Sequence, residues 1–319
     1  MAAPLLPFDP SGPSPSPSRS PRRGSRRRHQ VRQAYKVPDF LRGIQVLNLV
    51  ELTGSQIMAS RTLGLHQSSI SRTLRSLQSQ LQLTENSHPL LRFGHNACLG
   101  HLRLALRAHR LEGGWLQLSA DPLHQSLLRH LPGELKLPAT LHGVDQLVEL
   151  VRLAVLDAAL VSSLAFEVSQ DPLPRFPGLQ LLEIGEMALQ LMAYSPVARA
   201  VLVPQSRAAP GLHAQLVRRS VTCQVAPSSL RGRRAWLRMA RLEGLALPLC
   251  PALCPAGWLK REGLVVVPQQ RPLEQRLWLL LSEDLPQSLL ERCRLRLQRR
   301  CAWVSRPPSD LGQSSPQCC

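Results

Sequence analysis

The chain has 319 residues, of which 44% are hydrophobic, and its formal net charge is +18. This length and apolar content exclude a wholly disordered protein and predict two or three folded units with hydrophobic cores. No stretch approaches the roughly 20 uninterrupted apolar residues of a transmembrane helix, and the N-terminus lacks a basic segment followed by an apolar one. We therefore expect a cytoplasmic protein without membrane contact. The positive charge favours a polyanionic partner, with nucleic acid as the first candidate.

Residues 1–36 form a tail rich in Pro, Ser and Arg that offers little to a hydrophobic core. Asp9 is its only acid, against eight Lys and Arg residues. We predict that this segment is disordered. It could be an arm that adds non-specific DNA affinity, a solvated extension or the product of a mis-assigned start codon, and the sequence leaves these alternatives open.

Three helices are predicted next, because apolar residues recur at helical spacing between stop signals. The first helix places Phe40, Ile44 and Leu47 on one face and ends at Thr53–Gly54. The second begins after the N-cap Ser55 and ends at Gly64, and the third runs from Gln67 to about Leu81.

The polar face of the third helix suits a DNA major groove. It carries Gln67, Ser68, Ser69, Ser71, Arg72 and Arg75, and no acid occurs from Arg61 through Gln82. Short polar groups in the first turn can approach base edges, and Arg residues further along can contact bases or phosphates. The charge pattern alone would also fit an Arg-rich surface helix.

The segment "GSQIMASRTLGLHQSSISRTLRSLQSQL", residues 54–81, resembles the helix-turn-helix of the LysR-type transcriptional regulators and aligns with that family's pattern without a gap. The resemblance implies a winged helix-turn-helix domain at residues 37–95 that binds double-stranded DNA. Gln67, Ser68, Ser69 and Arg72 are then expected near bases, with Ser71 on the same face. Arg75 and Ser55 are expected at phosphates.

Three features of this segment depart from the family pattern. Gln56 stands where the family has an aromatic or aliphatic residue, and Met58 replaces a small residue. His66 occupies the position of the usual Ser or Thr N-cap, and this substitution weakens capping by about 1 kcal/mol. The following wing is short and lacks the family's signatures, so the details of docking on DNA are less well defined than the fold.

Residues 96–113 are predicted to form one helix with Leu99, Leu102 and Leu106 on a stripe. In LysR-type regulators the corresponding helix links the two parts of the chain and pairs with a second subunit. The resemblance therefore implies a homodimer or homotetramer assembled through these leucines. A helix packed into the core of its own chain is the alternative.

Residues 114–303 alternate short apolar runs with helical patterns, which predicts an α/β sheet. They resemble, more weakly, the two-lobed effector domain of the same regulators, which is like periplasmic ligand-binding proteins. The expected fold class is thus α/β overall, with an N-terminal winged helix-turn-helix, a linker helix and a two-lobed α/β effector domain. Residues 304–319 are expected to be a disordered tail.

A small-molecule effector is expected at the carboxyl ends of the strands of this sheet. The candidate contacts are Ser119, Asp121, Ser162 and Ser163, although serines at strand ends are also common as plain loop and cap residues. Asp121 stands where many relatives have a Ser or Thr that holds an anionic effector. A carboxylate there favours a neutral or cationic effector, or none.

No motif for catalysis, a cofactor or a metal is found. The spacing of Cys250 and Cys254 matches no zinc pattern, and the eight cysteines are expected to be buried or isolated thiols. We therefore predict a sequence-specific DNA-binding transcriptional regulator of LysR type that is modulated by a small-molecule effector, and not an enzyme. The alternatives are a recombinase-like DNA-processing enzyme, a regulator with a degenerate effector site, and a degenerate solute-binding protein.

Overall fold

A computed structural model describes residues 35–85, 92–93, 96–120, 123–128, 134–136, 143–166, 175–227, 233–268 and 271–304. The two terminal tails lie outside the described residues, apart from Tyr35, Lys36 and Val304. So do most of the expected wing and Asp121, so the predictions made for them stay predictions. All the described residues belong to one compact unit, Tyr35–Cys319.

Four helices open this unit at the places that the sequence predicts. After a 3₁₀ turn at Asp39–Leu41 come α1 (Arg42–Thr53), α2 (Gln56–Leu63), α3 (Gln67–Gln80) and α4 (Ala97–Glu112). Gly54 and Gly64 follow α1 and α2 with φ of 59° and 65°, a left-handed conformation that other residues adopt at a cost. The predicted stops are therefore confirmed.

The α/β part follows in strand and helix alternation. In chain order its elements are β1 (Leu116–Ala120), β2 (Glu134–Lys136), α5 (Val144–Arg152), β3 (Ala158–Ser162), β4 (Leu179–Ala193), β5 (Val201–Val203), α6 (Pro210–Arg218), β6 (Cys223–Val225), α7 (Arg233–Glu243), β7 (Leu247–Leu249), α8 (Trp258–Glu262), β8 (Val265–Val266), β9 (Leu273–Ser282) and α9 (Gln287–Val304).

Two groups of strands meet on the long strand β4, which gives the α/β part its two halves. The first half of β4 completes a sheet in the order β2-β1-β3-β9-β4, with β1, β2 and β3 parallel and β9 antiparallel to its neighbours. The second half of β4 pairs with β7 and β8. The parallel pair β5–β6 joins this second group through a bridge between Val201 and Ala246.

The two faces of the first sheet are covered by different parts of the chain. One face packs against buried residues of α6 and α9, including Leu212 and Leu297. The other face, with Trp278 and Leu280 of β9, belongs to the same hydrophobic cluster as α5 and the N-terminal helices. The helix-turn-helix and the sheet thus share one core.

Helix α1 lies at the centre of this shared core. Nine of its twelve residues are buried, and they lie all round the helix, including the polar residues Asn48, Glu51 and Thr53. Helices that are buried on every side belong to the interior of a protein rather than to an amphipathic surface. The helix-turn-helix is therefore packed against the rest of the chain and not held by a linker alone.

The placement of α4 corrects one expectation from the sequence. Leu99 and Leu106 are 0% and 2% exposed within the chain's own core, and Leu102 packs against that core half-buried. Leu104, at 49% exposure, is the exposed leucine of this helix. The expected stripe is thus wrong as a free surface for a second subunit, because its apolar residues already pack within one chain.

Candidate nucleic-acid interface

A few fully buried side chains anchor the α2–turn–α3 unit to the shared core. Ala59, Ile70 and Leu74 are at most 2% exposed and belong to the shared core. The backbone N–H of Leu65 donates to the carbonyl oxygen of Ser60 (3.0 Å), which closes the turn between the helices. These contacts fix the orientation of α3 and leave its opposite face outward.

The structure brings the predicted DNA-contacting residues of α3 onto this outward face. Gln67, Ser68, Arg72 and Arg75 are exposed, whereas Ser69 and Ser71 are half-buried at the margins. Eight residues separate Gln67 from Arg75, so the face is about 12 Å long, since a helix rises about 1.5 Å per residue. This length suits a helix lying in a major groove.

Two hydrogen bonds hold the arginine side chains of this face along the helix. Arg72 Nε donates to the carbonyl oxygen of Ser68 (3.4 Å), and Arg75 Nη2 donates to Ser71 Oγ (3.1 Å). Both bonds leave further N–H donors of each guanidinium available for a ligand. Ser71 therefore positions Arg75 in this structure, which is a role that the sequence did not assign to it.

The positive charge of the α3 face is not opposed by acids. The sequence has no Asp or Glu between Glu51 and Glu85. Glu85 is paired with Arg92 (2.6 Å), and the hydrogen bond from Arg92 lowers the pKa of the Glu85 carboxyl below its ordinary value. Among the described residues, no carboxylate forms an ion pair with Arg72 or Arg75, in contrast to Arg42 with Asp39. The face is therefore suited to a polyanion.

The N-termini of α2 and α3 are capped differently. Ser55 Oγ accepts a hydrogen bond from the backbone N–H of Met58 (3.4 Å), and its hydroxyl keeps a donor for a phosphate. His66 makes no side-chain cap bond to α3. The weak cap expected at His66 is thus confirmed, and the first turn of α3 keeps backbone N–H groups that point toward an approaching ligand.

A stripe of buried arginines on α4 is the main feature that the sequence reading missed. At one end, Arg103 is 1% exposed, and its Nε donates to Asn48 Oδ1 (2.9 Å) on α1. Its Nη2 lies 3.5 Å from Glu51 Oε1. Burial lowers the pKa of the Arg103 guanidinium, and the charge of Glu51 offsets part of that shift.

Glu51 connects this pair to the segment after α3. Its carboxylate accepts the backbone N–H of Arg92 (2.9 Å) and of Phe93 (3.0 Å) in addition to facing Arg103. These donors satisfy the oxygens of a carboxylate that is buried away from water. Glu51 therefore connects α1, α4 and the chain near the expected wing.

The other end of the arginine stripe reaches the sheet. Arg110 donates two hydrogen bonds to Asp157, from Nε (2.9 Å) and from Nη2 (2.6 Å), and Asp157 also accepts the backbone N–H of Gln117 (2.5 Å). Arg107 Nη2 donates to Asp284 Oδ1 (2.6 Å). Burial opposes the charged form of Asp284, yet hydrogen bonds from Ser282 and Arg107 hold its pKa below the ordinary value. Helix α4 is thus bonded to both α1 and the sheet.

The serines expected at an effector site do not all converge. Ser119 of β1 is in register with Ala159 of the neighbouring parallel strand β3, so both side chains point to the face of the shared core. Ser162 lies three residues after Ala159 and is opposite Leu277 of β9, which places it on the other face. Ser119 and Ser162 therefore cannot line one site.

Two other polar residues lie near the end of β3. Ser163 Oγ accepts the backbone N–H of Arg276 (3.2 Å). Gln275, only 4% exposed, lies on the same face of β9 as Leu277, and neither of its amide atoms has a hydrogen-bond partner among the described residues. Gln275 was missed, although its place in the alternation of buried residues 273, 275 and 277 could have revealed it.

The start of α6 closes over the end of β3. A Cβ atom added at Gly211 would lie 2.6 Å from the carbonyl oxygen of Phe166 and 2.7 Å from that of Ser163. These distances are far below a normal contact, so only glycine allows the helix to approach the 3₁₀ turn at Ser163–Ala165 so closely. Helix α6 and the turn after β3 thus touch through backbone at this point.

The described residues contain no group of three or more His, Cys, Asp and Glu that could hold a metal ion. In the same part of the chain no helix is both long and apolar enough to cross a membrane. Among the described cysteines, Cys250, Cys293 and Cys301 are buried. Cys254 is half-buried, and its Sγ donates to the carbonyl oxygen of Cys250 (3.5 Å).

No family model matches the sequence, and no curated protein sequence matches it. The chain is similar to several solved structures. ArgP from Mycobacterium tuberculosis is 18% identical, with a TM-score of 0.45 over 82% of this chain and 96% of that one. CbnR is 16% identical, and the match has a TM-score of 0.46 and covers 82% of this chain and 99% of CbnR. LysG from Corynebacterium glutamicum with bound effector Arg is 15% identical, and the match has a TM-score of 0.40 and covers 82% of this chain and 97% of LysG. CbnR is described as a LysR family transcriptional regulator, the family that residues 54–81 resemble.

Proposed function

We propose that this protein is a sequence-specific DNA-binding transcriptional regulator of LysR type, without catalytic activity of its own. The observation that carries the proposal is the outward face of α3. It combines exposed Gln67, Ser68, Arg72 and Arg75 with a sequence free of acids over two whole helices. The opposite face of α3 packs on the shared core, which gives the helix the rigid attachment that base recognition needs.

The side chains of this face have defined roles in the proposal. Gln67 reads an adenine edge and Arg72 a guanine edge, because these are the bidentate pairings that their geometry favours. Ser68 and Ser69 approach neighbouring bases in the first turn. Arg75, positioned by Ser71, contacts a phosphate, as Ser55 does from the N-terminus of α2.

The proposed regulator acts as a homodimer or homotetramer. A two-fold assembly presents two recognition helices to two half-sites about one DNA turn apart, or a multiple of it. The buried Leu99 and Leu106 do not provide the subunit contact, so another surface of the chain does. Light scattering of the full chain would establish the oligomeric state.

A small molecule is proposed to modulate binding at the sheet face that carries Ser162, next to Ser163. The unpartnered amide of Gln275 supports this placement, since a buried donor and acceptor gain free energy when a bound polar molecule satisfies them. Ser119 is not included, because it points to the opposite face. An effector changes DNA binding only if it favours one conformation over another.

In vitro selection of duplex DNA by the full chain tests the function directly. Arg72→Ala should relax preference at one base position and weaken binding there by about 1–3 kcal/mol, whereas Arg75→Ala should weaken all sequences alike. Arg292→Ala, an exposed arginine on α9, is the matched control and should change neither property. If the Arg72 and Arg75 variants keep the parent's affinity and preference, α3 is not the reading helix and the proposal fails.

A further inference from the structure

Helix α7 presents a second stripe of arginines, far along the chain from α3. Arg234, Arg238 and Arg241 are exposed, while Leu237 and Ala240 of the same helix are buried in a separate core cluster. Residues spaced by four and three positions lie within an arc of about 60° on a helix of 3.6 residues per turn. The outermost line of α7 is therefore made of arginine alone.

No acid within the described part of the chain forms an ion pair with these three arginines. The only acid of α7 is Glu243, which accepts a hydrogen bond from Gln224. By contrast, Arg152 pairs with Glu149, and the half-buried Arg294 pairs with Glu291. Like charges at this spacing destabilise a helix by about 0.2–0.5 kcal/mol per pair. Without a paired carboxylate, the guanidinium groups of the stripe keep N–H donors available for a ligand outside the chain.

One member of the stripe is held in place by an aromatic ring. The guanidinium carbon of Arg241 lies 5.5 Å from the centre of the Tyr194 ring, within the range of a cation–π contact. This contact limits the conformations of the Arg241 side chain, so less conformational entropy is lost when its remaining donors bind an anion.

We propose that the arginine stripe of α7 binds the phosphate backbone of DNA outside the bases that α3 reads. The inference rests on the proposed DNA-binding function. The stripe spans seven residues, or about 10.5 Å, and phosphates recur every 3.4 Å along the axis of one DNA strand, so about three phosphates match three arginines. Arginine also binds phosphate in a bidentate fork, and the regular repeat of phosphates along a DNA strand, which an acidic protein surface does not have, matches arginines set in one line.

The test compares the full chain with the triple variant R234Q/R238Q/R241Q on a 60-base-pair duplex of mixed sequence over a salt series. Each lost phosphate contact reduces the slope of log affinity against log salt by about 0.9. Three contacts reduce it by about 2.7, so between about 50 and 200 mM salt the parent should lose roughly 40-fold more affinity than the variant. Base preference in a selection should stay that of the parent.

The matched control is R218Q/R292Q/R299Q, which removes the same net charge from exposed positions on α6 and α9. Its salt slope should stay that of the parent. The inference is overturned if both triple variants reduce the salt slope equally, or if the α7 variant keeps the parent's slope. The arginine stripe would then be a candidate surface for an acidic protein partner. A parent chain that binds no duplex at all would instead overturn the proposed function itself.

Discussion

Replacing Asp157 by asparagine tests the buried connection between α4 and the sheet. Asp157 is 0% exposed and accepts two hydrogen bonds from Arg110 and one from the backbone of Gln117, while Arg107 Nε lies 3.7 Å away. Asparagine keeps the shape of the side chain but removes its charge. Arg110 would then be a buried cation without its carboxylate, and Arg107 would keep only Asp284.

The expected loss is large because one partner of a buried pair is removed. Such changes lower the free energy of unfolding by about 3–5 kcal/mol, whereas a surface pair contributes about 0–1 kcal/mol. In a unit of this size each kcal/mol corresponds to about 2 °C, so the melting temperature should fall by roughly 6–10 °C. Thermal unfolding followed by circular dichroism would measure this shift.

Asp39→Asn is the matched control, since Asp39 forms an ion pair with Arg42 at the surface. It should shift the melting temperature by no more than about 2 °C. If Asp157→Asn is as stable as Asp39→Asn, the guanidinium of Arg110 is not held in a dry environment, and the description of α4 as a bonded helix is wrong.

Two further predictions follow from the buried residues of α4 and β9. Leu106→Glu should destabilise the whole unit by several kcal/mol in thermal unfolding, since it buries a charge, while Leu104→Glu should change stability by less than about 1 kcal/mol. A stable Leu106→Glu protein with half the parent's mass in light scattering would instead make this stripe a subunit interface. Gln275→Leu should raise the free energy of unfolding by about 1–3 kcal/mol in urea titrations, because an unsatisfied amide leaves the core. A destabilised variant would mean that the amide has partners.

The elements that the sequence predicts well are those set by local signals. Ser55 caps α2, Gly54 and Gly64 stop α1 and α2, and the acid-free run fixes which face of α3 carries charge. These signals act over one or two turns of helix, so neighbouring residues contain the needed information. The helix-turn-helix is accordingly found where residues 54–81 place it.

The partners of α4 could not be predicted in the same way. Leu99, Arg103, Leu106 and Arg110 form one stripe at spacings of four, three and four, but only the leucines were counted. The carboxylate that accepts from Arg110 is 47 residues away in the sequence, so burial of the arginine depends on tertiary structure. An apolar stripe also does not reveal whether its own chain or a second one covers it.

The residues expected at an effector site show a second limit of prediction from sequence. Ser119 and Ser162 both stand near the carboxyl ends of parallel strands, so a reading by strand position groups them. The face of a side chain changes with every residue along a strand, and only the register with β3 separates the two serines. Register depends on pairing between distant segments, which periodicity within one strand does not fix.

The core shared by α1 and the sheet has a consequence for how the chain can be divided. A fragment that begins after α4 would expose Trp278 and Leu280, which are now buried beneath the N-terminal helices, and would leave Asp157 without Arg110. Such an uncovered apolar face promotes aggregation. The helix-turn-helix and the sheet are therefore expected to fold together, and transferring either part to another protein would require new residues to cover the apolar face that is exposed.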